Sequence, residues 1–241
     1  MDVRAETLLS LQTKAQQDVE AFGSSLSETE REATGQQERW SPKDLIAHIS
    51  SWWHIQGERF AQIAQGNSSV DFAWSDEVNA TLFTTNAQRS WEEVMAEMAL
   101  SAAEWRKAIQ QLKAEDLQLR DPTEDEGSPL WRLILGNGCL HPAQHLTEHY
   151  LERGETEKAT QLQEKIASRL ITSLPALSAL AYYNLACVYA QVGRGEEAVK
   201  ELGQALELDQ TLRPIARQDK DFSPIQALPA FQALFEEHQE I

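Results

Sequence analysis

The sequence predicts an all-α protein with two domains. Apolar residues recur at helical spacing in every long segment, no segment alternates with a period of two, and every strong capping signal opens a helical pattern. At 241 residues the chain exceeds the usual length of a single domain and can bury more than one core. We expect a four-helix bundle in residues 1–153 and a small helical domain in residues 154–241.

The composition excludes several kinds of partner. The chain has 38 acidic and 21 basic residues, a formal net charge of −17, which repels phosphate backbones and anionic lipid headgroups. No stretch approaches the roughly 18 apolar residues of a membrane span, and the N-terminus lacks the apolar core of a secretory signal. We therefore expect a cytoplasmic protein that binds neither nucleic acid nor membrane, with Cys139 and Cys187 as buried free thiols.

The second helix has the clearest start in the chain. Ser41 is placed as N-cap and Pro42 at the first helical position, where its missing N–H costs nothing. Asp44 can reach back to the N-cap and complete a capping box. The helix should run to about Gln65 and carry His48 on its apolar side.

The other bundle helices follow from the same signals. Gly23 should end an amphipathic first helix, Ser27 should open one further turn, and Ser75 should cap a short helix after a loop. Ser90 begins another capping box. The predicted bounds are 4–22 for the first helix, 91–112 for the third and 129–153 for the fourth, with Gly154 as its stop.

Histidines recur on the fourth helix at His141, His145 and His149. Residues four apart lie one turn above each other, so these imidazoles should share one face. Two helical histidines and a third from a neighbouring helix, here His48, form the usual geometry of a metal site in a bundle core. The alternative is that His48 is an ordinary core histidine and that the three others are partly exposed.

The fourth helix also carries unfavourable residues near these histidines. Gly136 and Gly138 weaken a helix, and Pro142 should leave the Gly138 carbonyl without its usual donor. Such costs are tolerated where function or close packing requires those residues.

The C-terminal domain has the residue spacing of a tetratricopeptide repeat, in which small residues let two helices approach closely. The positions that match are Tyr182, Leu185, Ala186, Tyr189, Gly193, Ala198, Leu202 and Ala205. Asp219, Asp221, Phe222 and Phe231 fit the capping segment that often follows the last repeat. A single repeat is short for a binding groove, so we expect this segment to pack against the bundle, with docking of a protein partner as the alternative.

Residues 40–48, Trp-Ser-Pro-Lys-Asp-Leu-Ile-Ala-His, resemble the start of the second helix in the DinB-like superfamily, and specifically in its ClbS/DfsB branch. The resemblance implies a four-helix bundle and a divalent metal held by His48, His141 and His145, with zinc or nickel expected. The His-Arg-Gly-Gln ending usual in that family is replaced by His-Pro-Ala-Gln from His141. The pairs Asn137/His141 and His145/His149 therefore remain alternative registers for the ligands.

The resemblance further implies a hydrolase or thiol transferase, with or without a metal, that acts on a small electrophilic molecule in the bundle core. The nucleophile would be a water made acidic by the metal or a thiolate bound to it. Asp44, Asn79 and Glu148 are candidate polar partners of such a site. The alternative class is a non-catalytic interaction or sequestering protein, with a metal-free bundle and a repeat segment that docks a partner.

Overall fold

The computed structural model describes residues 3–67, 75–120 and 127–236. Within these ranges the chain forms helices, turns and loops, and β-pairing is limited to two isolated bridges, which confirms the all-α prediction. None of the described helices is both long enough and apolar enough to cross a bilayer. The chain divides into two compact units, Met1–Leu146 and Thr147–Ile241.

The first unit is built on four long helical segments. In chain order its helices are α1 (Val3–Ser25), α2 (Glu28–Arg31), α3 (Pro42–Ala64), α4 (Asp76–Asn86), α5 (Trp91–Gln111), α6 (Leu130–Leu135) and α7 (His141–Glu152), which continues into the second unit. A π-helical turn at Gly136–Leu140 joins α6 to α7 as one fourth helix. The helix α3 packs along α5, and α1 packs against α6 and the π-turn.

The capping boxes predicted at Ser41 and Ser90 are confirmed, and a third box forms at Ser27, where the sequence predicted only a helical turn. Each N-cap serine accepts a hydrogen bond from the backbone three residues on, and the acid there accepts one in return, at Ser27/Glu30, Ser41/Asp44 and Ser90/Glu93. In the second box Asp44 Oδ2 lies 2.9 Å from the Ser41 nitrogen. These boxes fix where α2, α3 and α5 begin.

Gly23 does not end the first helix. The helix continues to Ser25, and Gly23 is buried within it. A Cβ at this position would lie 3.3 Å from the Trp91 ring, so the glycine serves close packing. Most of the predicted 66–76 loop, part of the polar 114–129 loop and His238 lie outside the described residues.

The bundle core is filled by apolar side chains from all four long helical segments. Those with no measurable exposure are Val19, Ile46, Ile49, Trp53, Phe60, Ala102, Trp105, Ile109 and Ile134. The first turns of α3 are buried as a block over residues 41–50, so His48 faces the interior as predicted. Both cysteines are buried free thiols, which confirms that prediction.

The second unit contains the end of α7 and a set of shorter helices. They are α8 (Thr156–Ser173), α9 (Ser178–Gln191), α10 (Gly195–Leu208), α11 (Arg213–Gln218) and α12 (Pro229–Ala233). The helix α9 packs against both α8 and α10. Gly154 and Gly193 have φ values of 70° and 81°, a left-handed conformation that glycine adopts without strain, and they end α7 and permit the α9–α10 turn.

Most of the residues predicted for the α9–α10 core are buried. They are Leu185, Ala186, Tyr189, Ala198, Leu202 and Ala205. Tyr182 is only half-buried, and its neighbour Tyr183 is buried. The Tyr183 hydroxyl donates to Asp219 Oδ2 at 2.7 Å, and its ring meets the Phe222 ring edge-on at 5.5 Å. These contacts attach the C-terminal segment to α9.

Candidate metal centre

Three histidines converge inside the first unit. His48 lies on α3, and His141 and His145 lie one turn apart on α7. The His141 Nε2 atom is 3.1 Å from His48 Nε2 and 3.0 Å from His145 Nε2. One ring nitrogen from each histidine lies within 4.8 Å of the others.

The alternative ligands have other surroundings. Asn137 lies in the π-turn, where its carbonyl accepts from the Trp53 indole at 3.1 Å and its side-chain Oδ1 is buried. His149 is buried, and it belongs to the second compact unit. The histidines whose ring nitrogens lie together are His48, His141 and His145.

The π-turn positions His141 at the start of α7. Its backbone N–H donates to the Gly136 carbonyl, five residues back, in place of the α-helical partner four residues back. In this pattern residue 142 would donate to the Asn137 carbonyl, but Pro142 has no N–H. The Trp53 indole donates to that carbonyl at 3.1 Å instead. The Asn137 carbonyl thus has a side-chain donor from α3.

Gly138 brings the π-turn against α5. A Cβ at this position would lie 2.6 Å and 2.8 Å from two atoms of the Trp105 ring. Trp105 is fully buried and meets the Phe60 ring edge-on at 6.0 Å. The glycine that weakens the fourth helix is thus required by close packing, one turn before His141.

Hydrogen bonding alone does not account for the contacts of His141 Nε2. An imidazole nitrogen carries either one hydrogen or one lone pair, so it can form one good hydrogen bond in the plane of its ring. Here two other nitrogens lie within 3.1 Å of it. Two nitrogens that each lie about 2.1 Å from one ion would be about 3.0 to 3.4 Å apart at octahedral or tetrahedral angles. The donor set therefore fits a shared divalent cation.

Burial keeps His48 neutral. Desolvation, followed by the charges of His141 and His145, lowers its pKa from 6.5 to about 2. A neutral imidazole retains the lone pair with which it would bind a metal.

Aromatic and polar side chains surround the cluster. The Trp40 ring centroid lies 4.3 Å from that of His48 and 5.6 Å from that of His145. Beside His48 is a cavity of about 10 Å³, lined by Trp40, Asp44, His48, Asn79, Phe83 and Asn86. Asp44 and Asn79 were sequence candidates, whereas Phe83 and Asn86 had no sequence signal. Trp40 directly precedes the N-cap, a position where an apolar residue often packs on its helix.

The buried neutral His48 should make the metal-free protein sensitive to acid. Because its pKa is lower in the folded state, the unfolded chain takes up the proton first, so stability is complete above pH 6.5 and falls progressively toward pH 2. We expect this group to cost about 1 kcal/mol between pH 6.5 and 5.5, and about 1.4 kcal/mol for each further unit below that. Urea unfolding with chelator, between about pH 6.5 and 5.5, would measure it. A His48→Gln variant should lack this component, and equal pH slopes for the two proteins would contradict the assignment.

Fold and cluster together define a helical-bundle protein with three convergent imidazoles between two of its helices. The family model described as the DinB superfamily matches residues 12–152, more than half of the chain, and the protein belongs to that superfamily. No curated protein and no solved structure matches it.

Proposed function

We propose that the bundle binds one divalent metal through His48, His141 and His145 and acts on a small electrophilic molecule, as a hydrolase or thiol transferase. The observation that carries the metal site is the pair of short nitrogen contacts at His141 Nε2. Membership of the DinB superfamily, which typically binds metal, supports it. Zinc and nickel are the expected ions, because both accept imidazole ligands readily.

The side chains around the cluster would each have a defined task. A divalent cation held by three imidazoles supplies a Lewis acid that lowers the pKa of an oxygen or sulfur ligand. His48 is buried on α3, and its imidazole stays neutral there. Trp40 covers the rings of His48 and His145 and limits the access of water. The carboxylate of Asp44 and the amides of Asn79 and Asn86 provide polar groups beside the cluster.

Elemental analysis of untagged protein, combined with thermal melts before and after chelation, tests the metal site. We expect near-stoichiometric metal that is lost in His48→Ala and His145→Ala. The metal should stabilise the fold by about 3–4 kcal/mol when its free concentration exceeds the dissociation constant by about a hundred- to a thousandfold. His54→Ala is the matched control, because the His54 side chain is 43% exposed and contacts Glu58 and Glu104.

The site would be refuted if the protein contains no metal and its melting temperature does not change when zinc, nickel, iron or copper is added. The chain would then be better explained as a metal-free enzyme or as a non-catalytic sequestering protein.

Two finer assignments belong to the same proposal. The sequence Trp-Ser-Pro-Lys-Asp-Leu-Ile-Ala-His at residues 40–48 supports the ClbS/DfsB branch of the superfamily. The buried small residues Ala186, Ala198 and Ala205, with the turn at Gly193, support a tetratricopeptide-type pair in α9 and α10. Such a pair would offer a docking surface for a protein partner.

A further inference from the structure

We infer that Trp40 is a ligand-binding residue, whose indole N–H donates a hydrogen bond to an acceptor oxygen of the small molecule bound beside His48. The oxygen belongs to a carbonyl group or an oxyanion. This inference rests on the proposed function, because it concerns the molecule that would occupy the open side of the metal centre.

The first observation is the state of the Trp40 indole. Its ring lies against His48 and His145, yet its Nε1 atom is buried and meets no acceptor among the described residues. Leaving a buried N–H without an acceptor costs about 1–3 kcal/mol, so such groups in folded proteins nearly always have a partner or a role. Because Trp40 also lines the cavity beside His48, its N–H is available to a molecule bound there.

The second observation is that two acceptor atoms beside the cavity are engaged by groups other than Trp40. Asn79 Oδ1 accepts from the Trp52 indole at 3.0 Å. Because an indole nitrogen only donates, this contact fixes which end of the Asn79 amide is oxygen. Asp44 Oδ2 accepts from both the backbone nitrogen and the hydroxyl of Ser41, at 2.9 and 2.6 Å. Neither atom accepts from the Trp40 N–H, which has no acceptor among the residues that the structure describes.

The Asn86 side chain acts as a donor rather than as an acceptor. The Ser51 hydroxyl donates to the Ala47 carbonyl at 2.9 Å, and its oxygen accepts from Asn86 Nδ2 at 3.0 Å. Through these two hydrogen bonds, one amide N–H of Asn86 is already engaged with α3. Among the described cavity-lining residues, the Trp40 indole nitrogen is a buried donor with no acceptor in the described part of the chain.

The size and charge of the cavity define the class of ligand. About 10 Å³ holds one water-sized group, so an oxygen-bearing end of the ligand enters while its body stays outside. The described lining contains no lysine or arginine, so the Trp40 N–H dipole would assist the proposed cation in stabilising charge on that oxygen. A donor fixed beside an electrophilic carbonyl acts as one arm of an oxyanion hole. The ligand class is thus a small carbonyl compound, such as an amide or ester.

Azide binding to the full-length, cobalt-loaded protein tests the inference by visible absorption, without an activity assay. Azide is a small anion that binds to the metal and accepts a hydrogen bond. Trp40→Phe keeps a ring beside His48 but removes the N–H, and should weaken azide binding roughly tenfold or more while cobalt content stays unchanged. Trp91→Phe is the matched control, since Trp91 does not line the cavity and its ring lies near Arg31. It should bind azide like the parent protein.

A second measurement needs no variant. In ¹⁵N-labelled, zinc-loaded protein, azide should shift the indole N–H resonance of Trp40. The inference would be overturned by equal azide affinity in the parent and Trp40→Phe proteins, or by a Trp40 resonance that does not move at saturating azide. Either result would leave the proposed metal centre unaffected. A parent protein that takes up no cobalt would overturn the proposed function and the inference with it.

Discussion

Replacing Ala198 with glutamate is expected to lower the free energy of unfolding of the C-terminal unit by about 3–5 kcal/mol. Ala198 has no measurable exposure and lies on α10, the helix that packs against α9. The longer side chain would overfill a contact between two helices, and its carboxylate would be buried without a partner. Either the helices separate or the carboxyl takes up a proton, and both outcomes cost stability.

Chemical denaturation followed by circular dichroism would measure this loss. Leu208→Glu is the control, because it places the same side chain near the end of the same helix at a position that is 59% exposed. We expect its unfolding to change by less than about 0.5 kcal/mol. An Ala198→Glu protein that unfolds like the parent would show that α9 and α10 do not form the close-packed pair on which the repeat assignment depends.

The helix starts could be predicted from sequence because capping is local. The serine and the acid of each capping box are three residues apart, so the chemistry that places Ser41 or Ser90 is visible in the chain itself. Helix ends were less predictable. Gly23 looked like a stop, and only the approach of the Trp91 ring from a distant segment explains why a glycine is needed inside α1.

The ligand register on the fourth helix could not be decided from spacing. Asn137, His141, His145 and His149 are four residues apart, and in an uninterrupted α-helix they would share one face. The π-turn breaks that equivalence between Asn137 and His141, because its extra residue rotates the helix before the turn relative to the helix after it. His48 then lies beside His141 and His145 through a tertiary contact that no local pattern encodes.

The sequence did not indicate all the residues that line the cavity, because tertiary contacts bring them together. Trp40 and Asp44 adjoin the α3 start, but Phe83 and Asn86 come from α4, whose sequence only indicated a short capped helix. The choice of Tyr183 over Tyr182 as the buried tyrosine likewise depends on Asp219, a residue far along the chain that accepts its hydroxyl.

Gly138→Ala is expected to destabilise the first unit by about 1–3 kcal/mol and to weaken metal binding, although alanine normally favours a helix over glycine. The added Cβ would lie 2.6 Å from the Trp105 ring. That ring is confined, because it is fully buried and a Cβ on Gly57 would lie only 3.2 Å from the Trp105 Cα. The π-turn must therefore move, and His141 follows it three residues later.

Gly136→Ala is the matched control for this prediction. Gly136 lies in the same π-turn, but a Cβ there meets no atom within 4 Å, so the substitution should leave stability unchanged or raise it by up to about 1 kcal/mol. Urea unfolding and zinc titration of both variants would separate the two effects. If Gly138→Ala matched Gly136→Ala in stability and zinc affinity, the packing of the π-turn on Trp105 would not be what positions His141.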